Sequence, residues 1–415
     1  MSLLLGQGTG PLRGVRVVEI AGIGPGPHAA TLLADLGADV VRVERPGGTV
    51  SPGTRHTDLL TRGRPSVARD LKQPAAVDTV LRLVQDADLL TRGRPSVALD
   101  LRHPEAVRTV LDLVAGADVL VEGQRPGAME RLGLGPDECH ARNPALVYGR
   151  MTGWGQDGPW AHAAGHDLNY VSITGALHAA GQDPARPHFP TNLLGDFGGG
   201  STYLVIGVLA ALLEARASGK GQVVDAAIVD GVASLNAMGT MFASLGVQPE
   251  TRASGLLDGG TPWYDLYETA DGRHMSVGPL EPQFHAELLR LLGIDDVAPD
   301  RDDPACHAEL RRLFVDTFLQ RTQAEWSAVF AGTDACVAPV LPLSEAVTHE
   351  HLAARGTYVE LDGVTQPAPA PRFSRTPGAV RSAPAAPGAR TREALAAWGV
   401  EDVDALIDSG AAVQA

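Results

Sequence analysis

Residues 15–44 alternate strand, Gly/Pro loop, helix and strand, and this order narrows the folds open to the chain. VRVVEIA (15–21) reads as a buried strand. GIGPGP interrupts it, HAATLLADLGA follows as a helix ended by Gly37, and DVVRVE (39–44) is extended again. Strands that alternate with helices form a parallel sheet with the helices on its faces. The pattern recurs in the helix PEAVRTVLDLVAGA (104–117), the strand DVLVEG (118–123) and the strand-like NPALVYGRMTG (143–153). The expected class is α/β.

An internal repeat interrupts this alternation. Residues 59–88 align without gaps to 89–118, with 22 of 30 positions identical. Solenoids need three or more units, so two copies read as a tandem duplication of one strand–helix segment. Further on, 200–217 reads as a long apolar helix stopped by SGKGQ, and 223–246 as a second, largely buried helix. WYDLYETADGRHMSVGPL (263–280) alternates like a hairpin around an ADG turn, inside a smaller α/β domain at 255–345. Residues 366–389 are rich in Pro and Ala and read as extended and surface-lying, and TREALAAWGVEDVDALIDSGAAV closes the chain as two short helices.

At 415 residues the chain is long enough for two or three domains. The net charge of −15, from 49 acidic against 34 basic residues, argues against a nucleic-acid surface. An anionic ligand must then be held by locally placed cations. Cys139, Cys306 and Cys336 have no metal or disulfide spacing, which suits a reduced cytoplasmic protein. The N-terminal residues lack the pattern of a signal peptide. The longest apolar stretch, Tyr203 to Leu213, falls short of the roughly 20 residues of a membrane span.

Several motifs have plainer readings. Gly24-Pro-Gly26-Pro-His-Ala29, with Glu44 ending the next strand, matches a dinucleotide fingerprint on paper. That fingerprint works through backbone N–H groups facing a pyrophosphate, and Pro25 and Pro27 each remove one. A tight turn bordering some other pocket is the better reading. Gly219-Lys220-Gly221 lacks the P-loop frame, and Asp196-Phe-Gly lacks the other kinase motifs. His349-Glu-His351 lacks a third metal ligand, and no G-x-S-x-G occurs.

Two segments carry chemistry. GRMTGWGQDGPWAHAAGHDLNY (149–170) leads through glycines and tryptophans to His166-Asp167. TNLLGDFGGGSTYLVIG (191–207) places Asp196 beside three glycines expected to open a helix, whose N-terminus carries free N–H groups. An imidazole and a carboxylate on opposite sides of one carbon could remove a proton from one face and return it on the other.

With these motifs the chain resembles the family III CoA-transferases (CaiB/BaiF type), most closely their α-methylacyl-CoA racemase branch. The resemblance runs over nearly the whole chain. It is carried by 10–46, DVLVEGQRPGAMERLGLGP (118–136), YGRMTGWGQDGP (148–159), AGHDLNY (164–170), NLLGDFGGGS (192–201), GKGQVVDAAIVDG (219–231), LDGGTPWYDLYETADG (257–272), EPQF (281–284) and PAPRFSRTP (369–377). It implies a Rossmann-like large domain formed by both chain ends, with a smaller central α/β domain, in an interlocked homodimer. The large domain would take residues 1–225, a linker helix 226–254, the small domain 255–345 and a return segment 346–415.

Carried over residue by residue, the resemblance makes His166 and Asp196 the acid/base pair and Glu281 the partner of the histidine. Asp167 and Asn192 flank them. Arg45, Gly123, Arg125, Arg131 and Tyr170 fall along the CoA groove, where an arginine fork suits phosphate. Gln124 departs from the aromatic residue of the racemase branch. The adenine-contacting segment occurs twice, as Asp70-Leu71-Lys72 and Asp100-Leu101-Arg102. The second copy runs directly into DVLVEG, which favours Leu101 and Arg102, and the first is expected to bulge out. The implied activity is epimerisation of 2-methylacyl-CoA thioesters through an enolate. CoA is part of the substrate, and neither a separate cofactor nor a metal is needed. CoA transfer through an aspartyl anhydride, and non-catalytic acyl-CoA binding, are the alternatives.

Overall fold

The computed structural model describes residues 5–22, 24–46, 94–246, 250–382 and 388–415. The first repeat copy, with Asp70, Leu71 and Lys72 and the expected bulge, lies outside them. The described chain divides into two compact units, 1–171 with 191–235 and 350–415, and 172–190 with 236–349.

The first unit is built on a seven-stranded sheet. Its strands are β1 (Arg16–Ile20), β2 (Asp39–Glu44), β3 (Ser96–Leu99), β4 (Val119–Glu122), β5 (Val147–Thr152), β6 (Val223–Ala227) and the short Ala412–Val413. Their spatial order is Ala412–Val413, β3, β2, β1, β4, β5, β6. All neighbours run parallel except the C-terminal strand, which pairs antiparallel with β3. From β1 the chain winds outward on one side to β3, then restarts on the other side at β4. The crevice beyond the carboxyl ends of β1 and β4 is therefore the topological switch point, where open α/β sheets bind ligands.

Val17, Val18, Val41, Val97, Val119 and Leu120 are fully buried in this sheet. Burial on both faces explains the consecutive apolar pairs Val17-Val18, Val40-Val41 and Val119-Leu120. Helix α1 (Pro25–Asp35) takes the Gly/Pro loop as its N-terminus, and α2 (Pro104–Ala115) buries Ala106, Thr109, Val110, Leu113 and Val114.

Charges inside the sheet occur in pairs. Glu19 on β1 stands opposite Arg42 on β2 and binds it, and Arg94 donates to Glu19 at 2.7 Å. Arg94 also reaches the Pro27 carbonyl and the Thr31 hydroxyl, each at 3.1 Å, which ties the start of β3 to α1. Glu122 and Arg150 face each other across β4 and β5 at 3.0 Å. Removing one partner of such a pair strands a buried charge, at a cost of about 3–5 kcal/mol.

The second repeat copy supplies β3 and α2. It differs from the first at positions 99, 102, 103, 105, 108, 112, 115 and 116. Of these only Leu99 is buried, and every other buried position of the copy is identical in the first.

Two expectations are corrected. Residues 223–246 are not one buried helix: 223–227 form β6, the helix Ile228–Leu235 follows, and Ala237–Leu245 is a separate helix with no buried residue. Continuous apolar character misled the reading, because an edge strand and a helix can both satisfy it over a short run. The long helix also begins earlier than 200. Leu193–Ser201 is π-helical and runs into an α-helix, Thr202–Ser218. The combined 26 residues are long and apolar enough to cross a membrane, which the Tyr203–Leu213 count did not suggest. Here Leu204 and Val208 pack on Gly149 of β5, while Leu193, Ile206 and Leu213 stay exposed.

The second unit holds an antiparallel sheet of β7 (Asp265–Glu268), β8 (His274–Val277) and β9 (Val337–Pro339). Its core packs Trp263, Tyr267, Phe314, Phe318 and Trp326, with Tyr267 stacked on Phe318 at 5.3 Å between ring centres. A capping box, Thr322 with Glu325, starts the helix Gln323–Phe330.

Candidate active site

In the first unit five of the predicted site residues directly follow the carboxyl end of a parallel strand. Arg45 follows β2, Leu101 and Arg102 follow β3, and Gly123 and Arg125 follow β4. The loop after β5 leads to His166. At the switch point the Gln124 side chain donates to the Ala21 carbonyl at 3.1 Å, and its amide donates to Glu122 at 2.6 Å. Gln124 thus ties the loops after β1 and β4 together.

Asp196 lies inside the π-helix and not before a helix, which corrects the expected position. Its amide donates to Asp167 Oδ1 at 2.6 Å, and Asn192 Nδ2 donates to its Oδ2 at 3.3 Å. Two glycines allow this approach. Gly24 has φ +69°, and a Cβ there would sit 3.3 Å from Asp196 Oδ2. A Cβ on Gly195 would overlap the Asp167 carboxylate. Gly24 therefore borders the carboxylate, and the neighbouring Pro25 and Pro27 carry no backbone N–H.

Burial raises the Asp196 carboxyl to about 6, and the neighbouring Asp167 adds to the shift. Asn192 and the His166 imidazole oppose it. Burial also raises Asp167, against the lowering effect of the Asp196 and Gly195 amides. His166 is exposed, in the turn before the helix α3 (Asp167–Ile173), with its amide bound to Asn169 Oδ1 at 3.1 Å.

Tyr170 donates its hydroxyl to the Gly165 carbonyl and packs edge-on against Trp154 at 4.7 Å. Burial, and then the Asp196 charge, push its hydroxyl up to about 12. Sequence reading put Tyr170 on the ligand groove; the structure gives its hydroxyl an internal partner that braces the His166 turn.

The arginines fall into two groups. Arg45, Arg125 and Arg131 are exposed and form no ion pair among the described residues, whereas Arg42, Arg94 and Arg150 are held inside the sheet. Arg102 is exposed but already paired with Asp100, at 2.9 and 2.6 Å. Leu101 is half-buried against the main core.

Glu281 belongs to the second unit, at the N-cap of the helix Pro282–Leu292. Its charge helps raise the Cys336 thiol, after burial. Cys336 lines an open cavity of about 500 Å³ in that unit, with Gln182, Leu257, Tyr264, Leu266 and Val277. Among the described residues no group of three or more His, Cys, Asp or Glu could hold a metal ion.

Sequence reasoning missed Gly24 and Gly195 as site residues. Gly195 adjoins Asp196 in the sequence, but only the folded chain shows that it faces Asp167 and that the distant Gly24 faces Asp196.

This geometry can be set beside known proteins. The profile of CoA-transferase family III matches residues 12–91 and 88–391, and the chain belongs to that family. The two matched stretches meet at the junction of the repeat copies. An alpha-methylacyl-CoA racemase of Mus musculus is 40% identical over 400 residues, 95% of each chain. That of Homo sapiens is 38% identical, over 88% of this chain and 87% of its own. The crystal structure of a CAIB/BAIF family protein from Brucella suis superposes with a TM-score of 0.75 at 27% identity, covering 94% of this chain and all of the other.

Proposed function

We propose that the protein is a racemase that interconverts the 2R and 2S epimers of 2-methylacyl-CoA thioesters. The observation that carries this is the Asp196 carboxyl. It is held through its own amide and by Asn192, it is bordered by Gly24, and burial together with Asp167 raises it to about 6 against the opposing His166 imidazole. A carboxyl poised near neutrality can both give and take a proton.

On this reading His166 takes the α-proton of one epimer and leaves a planar enolate. Asp196 then protonates the opposite face, and in reverse the two exchange roles. Glu281 orients His166 across an interlocked homodimer, whose large domain is formed by both chain ends. The enolate oxygen requires fixed donors, a part suited to the Asp167 amide at the start of α3. Arg45, Arg125 and Arg131 take the phosphates of CoA, Gly123 and Leu101 line its groove, and Arg102 contributes once released from Asp100. CoA is the substrate's own carrier, and no further cofactor is invoked. Three free thiols, Cys139, Cys306 and Cys336, fit a reducing cytoplasm.

The test is incubation of a 2-methylacyl-CoA in heavy water. Deuterium at the α-carbon is expected, with exchange lost in both His166→Ala and Asp196→Ala. Wild type without exchange overturns the reading.

The family's name supports a second reading, in which ionised Asp196 attacks the thioester as a nucleophile. The raised carboxyl favours proton transfer over it. Movement of CoA onto a free carboxylic acid, without α-exchange, would favour the transferase.

A further inference from the structure

The π-helix that carries Asp196 is nine residues long, whereas such stretches usually run for a single turn and need support. Its wide register shows in two bonds. The Phe197 amide donates to the Asn192 carbonyl at 3.3 Å, and the Thr202 amide donates to the Phe197 carbonyl. In an α-helix the Phe197 carbonyl would instead receive the Ser201 amide.

Side chains occupy the place left open. The Ser201 hydroxyl donates to the Phe197 carbonyl at 3.0 Å, and the Thr202 hydroxyl donates to it at 2.9 Å. With its one proton so directed, Ser201 Oγ accepts from His28 Nδ1 at 2.6 Å. The His28 ring also packs on Phe197, 4.6 Å between centres. Ser201 is fully buried. His28 stands on the first turn of α1, whose N-cap Gly24 faces the Asp196 carboxylate. One rigid element thus grips the π-helix at Ser201 and walls its carboxylate at Gly24.

We propose that His28 and Ser201 are positioning residues, a clasp that holds 193–201 in the π register and so aims Asp196 at the reacting carbon. Loss of that register removes one residue of winding. It turns the residues before Ser201 by about 100° about the helix axis, away from Gly24 and Asp167. Among the described residues the charged and titratable groups acting with Asp196 are Asp167, His166 and Tyr170, and changing the clasp alters none of them. The inference rests on the racemase reading, and its test separates the two.

The variants are Ser201→Ala, His28→Phe, which keeps a ring on Phe197 but no Nδ1 donor, and Ser201→Thr, which restores the hydroxyl. Exchange in heavy water is followed against pH, and the Asp196 carboxyl is titrated directly by carbon NMR. Ser201→Ala and His28→Phe should lower kcat by about 10- to 100-fold with KM within about twofold, the scale of a misplaced catalytic group. The Asp196 midpoint should fall from about 6 toward the ordinary carboxylate range, and Ser201→Thr should restore both. If Ser201→Ala fails to fold, His28→Phe carries the test. An unchanged midpoint in folded variants overturns the clasp, whatever happens to kcat. Wild type without exchange overturns the racemase reading, while the NMR midpoint still decides the clasp.

Discussion

The carboxylate end of the proposed site and the exposed arginines proposed as its rim are built by opposite means. Asp196 is embedded in an unusual helix, bonded through its own amide to Asp167, touched by Asn192 and walled by Gly24. Arg45 and Arg125 stand exposed on loops, and Arg131 at the end of the short helix Ala128–Arg131, with no ion-pair partner among the described residues. A group that must transfer a proton to one face of one carbon needs fixed geometry, because small displacements are costly in rate. A group that neutralises phosphate needs only reach and charge, and the ligand supplies the missing partner. On the proposed reading a chain of net charge −15 holds an anion through a few exposed cations, whereas Arg42, Arg94 and Arg150 are consumed by internal pairs.

The contrast breaks first at Asp196. Asp196→Asn keeps the shape and removes the proton carrier, so exchange should fall by about 10² to 10⁴ with little change in KM. A large KM effect instead would make the carboxylate a binding group and erase the distinction. Gly24→Ala should act through the same end. It strains a backbone at φ +69° and crowds Asp196, at about 1–2 kcal/mol, or roughly tenfold in kcat. Arg125→Ala should show the reverse pattern, with KM raised about tenfold and kcat retained, as for one lost hydrogen-bonded charge on a phosphate. Steady-state exchange kinetics on purified variants separate the two patterns.

The pH response sharpens the carboxylate end further. Burial and Asp167 raise Asp196 to about 6. The direction in which Asp196 accepts the α-proton should gain rate as pH rises through about 6, and the direction in which it donates should lose rate. Asp167→Asn removes the like charge and should move this midpoint down. The stability sign follows the same shift. A carboxyl raised above its unfolded value of 3.8 contributes stability below that value and loses it as pH rises through about 6. Asp196→Asn should therefore gain melting temperature relative to wild type between pH 5 and pH 8.

Much of this was legible in the sequence because it depends on local order. The bounds of β2 follow from periodicity and punctuation, while the helix expected from His28 begins at Pro25 and the strand expected at 118–123 spans Val119–Glu122. The loops that carry Arg45, Arg125 and His166 follow from the strands before them. What was not legible depends on partners distant in sequence. Arg42 and Arg45 are the same residue type three positions apart, yet one lies inside the sheet against Glu19 and the other is exposed. The register that decides this is set by pairing between β1 and β2. The π-helix is likewise invisible in LLGDFGGGS, since its extra residue is stabilised by Ser201 and, through it, by His28 far back in the chain.

The smallest effect is expected where the sequence looks most unusual. The described copy of the repeat already supplies β3, α2 and the buried Arg94 pair, so deleting residues 59–88 removes none of these contacts. It leaves 21 residues between Glu44 and Ser96, and a parallel crossover needs only about a dozen. Both ends of the site hang from strands that the deletion leaves in place, so kcat and KM should each stay within about twofold and the melting temperature within about 3 °C. A rise in KM with kcat intact would assign the first copy, through Lys72, to the cationic rim. A loss of both would mean that the first copy holds the sheet, against the buried contacts of Leu99, where it would place Arg69.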